Sequence, residues 1–171
     1  MLEASKATLE PALRAGAERD VESLTRLINL AFRVEQIAIP GERVDAAKTR
    51  AYLAAGAFLV LEAGTGLVGC VYAEKRRDRG YLGLLAVDPA FEGRGYGRRL
   101  VGAAEEHLGR AGCRAIDLRV VSARSELLPF YRRLGYAETG TSAIPREIEL
   151  QVPCHFIHMS KTLGSAGRSG G

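Results

Sequence analysis

The chain has 171 residues, of which 47% are hydrophobic, 26% charged and 6% aromatic. That is enough for one compact domain and excludes global disorder, and no stretch of about 18 apolar residues offers a transmembrane helix. Its 24 Lys and Arg interleave with 20 Asp and Glu for a net charge of +4, so the basic stripe with stacking aromatics that marks a nucleic-acid binder is missing.

The opening residues Met1–Lys6 hold no basic stretch leading into an apolar core, so no secretory leader is expected and the reading is cytoplasmic. Residues 1–7 and the Gly/Ser-rich 164–171 read as flexible ends around one domain spanning 8–163. A short strand is expected at about 8–14. A helix follows over 17–33, with Val21, Leu24, Ile28, Ala31 and Phe32 at helical spacing. The segment Val34–Arg43 is broken by Pro40-Gly41, and Asp45 is placed to cap a second helix over 46–55.

Ala57–Ala63 and Leu67–Lys75 read as a hairpin around Gly64-Thr65-Gly66. The dense basic run Lys75-Arg76-Arg77-Asp78-Arg79 reads as a solvated turn. Tyr81–Val87 is almost continuously apolar, as a central strand covered on both faces should be. A helix over 96–110, a strand around Ile116, Leu118 and Val120, and a helix capped by Ser125 and ending near Gly135 follow. Tyr136–Thr141 and His155–Lys161 complete the order as two last strands. The fold class is thus α/β: a single domain with a mixed sheet of six to seven strands and about four helices. Cys70, Cys113 and Cys154 show no metal-ligating spacing and read as reduced, mostly buried thiols; no metal is expected.

The sharpest feature is Val87-Asp88-Pro89-Ala90-Phe91-Glu92-Gly93-Arg94-Gly95-Tyr96-Gly97-Arg98-Arg99. A buried strand leads through alternate glycines straight into an amphipathic helix. Glycines let backbone N–H groups approach a ligand closely, and the helix N-terminus adds partial positive charge, so the segment suits phosphate oxygens. Neither a dinucleotide fingerprint nor a P-loop fits its spacing.

Glu92-Gly93-Arg94-Gly95-Tyr96-Gly97 resembles the acetyl-CoA pyrophosphate loop of the GNAT superfamily of N-acyltransferases, Gln/Arg-x-x-Gly-x-Gly/Ala, with Glu at its first position. Phe130-Tyr131-Arg132-Arg133-Leu134-Gly135-Tyr136 resembles a second motif of that family, although the Asn it commonly has seven residues before the tyrosine is Arg124 here. The resemblance implies a GNAT-like fold and transfer of an acetyl group from acetyl-CoA to a primary amine of a small molecule or peptide, by direct attack in a ternary complex. It implies coenzyme contacts at Leu85, Ala86 and Val87 on the central strand, at Gly93, Arg94, Gly95, Tyr96, Gly97 and Arg98 in the loop, and at Tyr131. It further implies that Tyr131 protonates the departing thiolate, with a homodimer among the assemblies it allows.

An amine with pKa near 10.4 is neutral in only about one molecule in 2,500 at pH 7, so a proton acceptor is needed. Glu74, near the end of the third strand, is the side-chain candidate, although it also reads as a solvated turn acid, and water is the other. Glu35, Glu42, Glu147 and Glu149 lie in the two segments that line the family's acceptor groove and could attract a cationic amine. His155 and His158, on the last strand, read as structural. A non-catalytic CoA-binding sensor module on the same scaffold is the alternative, with no nucleic-acid or membrane partner.

Overall fold

The computed structural model describes residues 10–164. The parts of the expected first strand before residue 10, the expected flexible N-terminus and nearly all of the Gly/Ser tail lie outside the described residues. The elements run β1 (Ala12–Ala15), α1 (Val21–Ala31), α2 (Ala46–Ala55), β2 (Ala57–Ala63), β3 (Gly66–Arg76), β4 (Arg79–Val87), α3 (Tyr96–Arg110), β5 (Ala115–Val121), α4 (Leu127–Arg133), β6 (Ala137–Ala143) and β7 (His155–Thr162). They form a seven-stranded sheet in the order β1-β2-β3-β4-β5-β7-β6. Every neighbouring pair is antiparallel except β4 with β5.

Each face of the sheet carries its own core. Along β2 the apolar side chains alternate, Phe58 and Val60 packing with α1, Leu59 and Leu61 with α3. On the first face Leu24, Leu27 and Ile28 of α1 are buried, on the second Leu100, Ala104 and Leu108 of α3. Asp45 caps α2 as its sequence position predicts, its Oδ1 accepting from Lys48 N–H at 2.7 Å. The basic run forms the tight β3–β4 turn, with Arg77 at φ 60°.

Two expectations change. The first helix is shorter than its periodicity suggests, with 3-10 turns at Glu18–Asp20 and Phe32–Ile37 on either side of α1. Ser125 does not cap α4: a 3-10 turn at Ser122–Arg124 leads into the helix, which begins without a side-chain cap.

Two irregularities position the site. Opposite Cys70–Tyr72 of β3, β4 spans Gly83–Ala86 and so carries one extra residue, a β-bulge with Leu84 at φ 47°. The extra residue resets the pleat: Leu82 and Leu85 pack on the α3 face, Tyr81, Leu84 and Ala86 on the α1 face. The displaced carbonyl of Leu84 accepts from the buried Cys70 thiol at 3.6 Å, whose pKa burial pushes up to about 12. Beside the bulge, β4 and β5 are paired only from Arg79–Tyr81 to Ala115–Asp117. Beyond that the two strands part, and their facing backbone edges are open to a ligand.

Candidate active site

The gap between β4 and β5 opens into a cavity of about 340 Å³. Its lining draws on both faces of the sheet. Leu85, Val87 and Gly97 line it together with Phe130 and Tyr131 of α4, while Phe32, Glu35, Arg43 and Phe156 line it from the α1 side. A passage through the sheet is what two substrates meeting head to head require, one from each face.

Tyr131 is 6% exposed, packed edge-on against Phe130 and Tyr136 at centroid distances of 5.0 and 5.9 Å. Burial drives its phenol pKa well above the ordinary value, so it is fully protonated at neutral pH. Its hydroxyl makes no hydrogen bond to another side chain or to the backbone among the described residues.

The glycine loop takes the predicted form. Gly93 and Gly95 have φ of 76° and 80°, and a Cβ at either would point into open space. Gly95 is the N-cap of α3 in the left-handed region, so glycine is required there to present the first-turn amides outward. Arg94 and Arg98 are exposed beside it, Arg94 stacked over Phe91 at 5.0 Å. Arg99 instead faces β1, donating to the Pro11 carbonyl at 2.7 Å.

The sequence candidates separate in space. Leu85, Val87, Gly97 and Tyr131 come together at the cavity. Gly93, Arg94, Gly95 and Arg98 flank its mouth as an exposed loop. Ala86 faces the α1 core, and the Tyr96 side chain is buried in the α3 core, leaving only their backbones available to a ligand. Glu74 does not line the cavity. It accepts from the Tyr72 hydroxyl at 2.8 Å and pairs with Arg76 at 3.2 Å, and Arg76 lowers its pKa, which makes it a weaker base. His158 on β7 hydrogen-bonds Ser142 at 2.6 Å and does not line the cavity.

Glu35 is the residue that sequence reasoning passed over. It is named there only among four acids that could attract an amine, yet it lies 7% exposed in the 3-10 turn after α1, facing the cavity. Burial raises its pKa, against the lowering pull of Arg43 and Arg124, and Arg124 stands 3.5 Å away. A buried acid between apolar neighbours Val34 and Ile37 carries no sequence signal, since both neighbours are exposed.

The sequence profile described as "Acetyltransferase (GNAT) family" matches residues 21–136. The chain belongs to the GNAT acetyltransferase family. A curated relative, mycothiol acetyltransferase from Propionibacterium freudenreichii, is 43% identical over 84 residues, covering 47% of this chain and 27% of that protein. The match thus spans about a quarter of the relative's length. Among solved structures, Ard1 from Thermoplasma volcanium superposes with a TM-score of 0.76 at 19% identity, covering 91% of this chain and 99% of the other. The yncA protein from Salmonella typhimurium, determined with its cofactor acetyl-CoA, gives 0.73 at 18% identity, with 93% and 98% covered. These identities speak to fold, and the GNAT fold is shared along nearly the whole domain.

Among the described residues no group of three or more His, Cys, Asp or Glu is arranged to hold a metal, and no helix is long and apolar enough to cross a membrane.

Proposed function

We propose that the chain transfers an acetyl group from acetyl-CoA to a primary amine, by direct attack in a ternary complex. The observation that carries this is the passage through the sheet with a buried phenol on one side and a buried carboxyl on the other. The glycine turn at the start of α3 suits the coenzyme's diphosphate, with Arg94 and Arg98 adding charge. The parted edges of β4 and β5 offer backbone partners to the pantetheine arm.

In this reading the acceptor arrives from the α1 side as an ammonium, and Glu35 takes its proton. Burial is what fits Glu35 to the task, because a carboxylate of raised pKa holds a proton more firmly than an ordinary one. The freed nitrogen lone pair forms the N–C bond at the thioester carbonyl, whose oxygen gathers charge beside the backbone of the Leu84–Leu85 bulge. The nitrogen, positively charged after attack, gives up its second proton to solvent. The C–S bond then breaks and its electron pair leaves with sulfur, to which Tyr131 donates its hydroxyl proton, solvent returning one to the phenolate. The apolar walls that raise the phenol's pKa also desolvate the thiolate, so its proton affinity rises in step. Glu35, not Glu74, is therefore the proposed base.

A CoA-binding module without turnover is the second reading, favoured by the acidic Glu92 at the phosphate loop, a residue that lines the cavity. Titration calorimetry with acetyl-CoA, followed by a thiol-release assay over an amine panel, separates them. Binding with release supports transfer, binding without release supports the module, and no binding overturns both.

A further inference from the structure

Charge on the acceptor side of the passage is unbalanced. Two acids line the cavity, Glu35 and, at the glycine loop, Glu92; away from that loop Glu35 alone faces three guanidinium groups, those of Arg43, Arg119 and Arg124. Arg124 is occupied by Glu35 and Glu126. Arg43 and Arg119 form no salt bridge among the described residues. Each instead lies over an aromatic ring, Arg43 at 5.4 Å from the Phe32 centroid and Arg119 at 4.1 Å from that of Phe156. The Nε of Arg43 is fully enclosed and, among the described residues, has no hydrogen-bond partner. No protein acceptor therefore holds the Arg43 guanidinium in place, and the residue lines the cavity with its charge unpaired. A ring beneath each guanidinium leaves its N–H fork free, and that fork suits a carboxylate or a similar oxyanion.

We propose that the acceptor is a primary amine that also carries an anionic group within a few bonds, the chemistry of an amino acid or of a peptide with an acidic first residue. This rests on the acetyl-transfer reading above and names its substrate class. The amine lies at Glu35 and the anion is drawn to Arg43 and Arg119. Transfer leaves the anionic group untouched: one ammonium proton passes to Glu35, the N–C bond forms, the nitrogen's second proton goes to solvent, the C–S bond breaks, and the coenzyme leaves as its thiol with a proton from Tyr131 that solvent replaces. A polyamine would set further positive charge against three guanidinium groups.

The test measures thiol release at saturating acetyl-CoA from matched pairs: free glycine, aspartate, glutamate and methionine against their amides, with spermidine and with short peptides beginning in Asp or in Ala. Free acids are expected to exceed their amides at least tenfold in kcat/KM. Arg43→Gln and Arg119→Gln are each expected to shrink that acid-to-amide ratio at least tenfold, and Arg43→Lys to restore part of it. A merely structural role would lower both members of a pair alike. Arg119 is exposed on its strand, so its variant keeps the ratio measurable if Arg43→Gln fails to fold. Faster turnover of Asp-first peptides than of free acids assigns the anion to a peptide, and slower turnover assigns it to a free small molecule. Amides equal to acids, or a preference for spermidine, overturn the inference and leave acetyl transfer standing. No release from any acceptor, with acetyl-CoA bound, overturns the transfer reading itself.

Discussion

A carboxyl raised above its ordinary pKa by burial is a better base and a worse structural element, and Glu35 is both. Its folded pKa lies above the unfolded value near ~4.3. Its charged form is therefore disfavoured in the native state, and stability falls as pH rises from the unfolded value towards the folded one. Glu35→Gln, isosteric with the protonated acid, removes that loss. Its melting temperature at pH 8 is expected to equal or exceed that of the wild type, the advantage vanishing near pH 4, while kcat/KM drops by about 10²-fold. Melts at both pH values together with steady-state kinetics check it, and a clearly lower melting temperature at pH 8 would show that Arg43 and Arg124 need the charge more than burial disfavours it. Tyr131 has the opposite character, a phenol kept neutral by the same desolvation. Tyr131→Phe retains the ring packing against Phe130 and Tyr136 and deletes only the hydroxyl. We expect turnover to fall about 10²-fold with acetyl-CoA affinity within about twofold of wild type; undiminished turnover would remove Tyr131 from the chemistry.

At the scale of elements, the start of α3 combines a backbone requirement with a binding one. A side chain at Gly95 must adopt φ of 80° and would project into the open space before the helix. Gly95→Ala is expected to cost about 1–2 kcal/mol in stability and to raise the acetyl-CoA Kd at least tenfold. Calorimetry and chemical denaturation read the two separately, and unaltered affinity would place the diphosphate elsewhere. This loop was legible in the sequence because glycine, arginine and the helix start are local signals. So was α2, through its Asp45 cap, and the β2–β3 hairpin, through period-2 alternation. The β4 bulge was not: Tyr81–Val87 is apolar throughout, so its pattern has no phase that an extra residue could disturb. Ser125 misled because a 3-10 turn at Ser122–Arg124 runs into the helix and leaves Ser125 as that turn's C-cap. Glu35 and the unpaired Arg43 were equally illegible, because their surroundings, Arg124 for the one and the Phe32 ring for the other, are set only by tertiary folding. Glu74 drew attention by strand position, whereas its neighbour Arg76, two residues on, commits it to an ion pair.

At the scale of the whole molecule, the passage exists because the sheet is held as two halves that diverge from a short parallel contact, β1 to β4 on one side and β5 to β7 on the other. Each half then needs its own fastening. On the first, Arg14 of β1 donates to both carboxylate oxygens of Asp20 at 2.8 Å and to Glu62 of β2 at 2.8 Å. Asp20 also accepts from the Ala17 N–H at 2.8 Å, which fixes the turn into α1. On the second, Asp117 of β5 pairs with Arg79 at 2.6 Å and accepts from Ser160 of β7, so the same carboxylate ties β7 to the hinge where the halves meet. Arg14 lowers the pKa of Asp20, and Arg79 lowers that of Asp117. A depressed carboxylate stabilises the fold above its unfolded pKa, near ~3.9 for Asp, and that stabilisation is lost as pH falls through the folded value. Asp20→Asn keeps one acceptor oxygen but loses the charge between Arg14 and the Ala17 amide. It is expected to be less stable than wild type by about 1–3 kcal/mol at pH 7, with the two proteins converging as pH is lowered from about 5 to 2. Urea denaturation across that range measures the difference directly; a gap that persists at the acid end would assign the loss to packing of the amide and not to the missing charge.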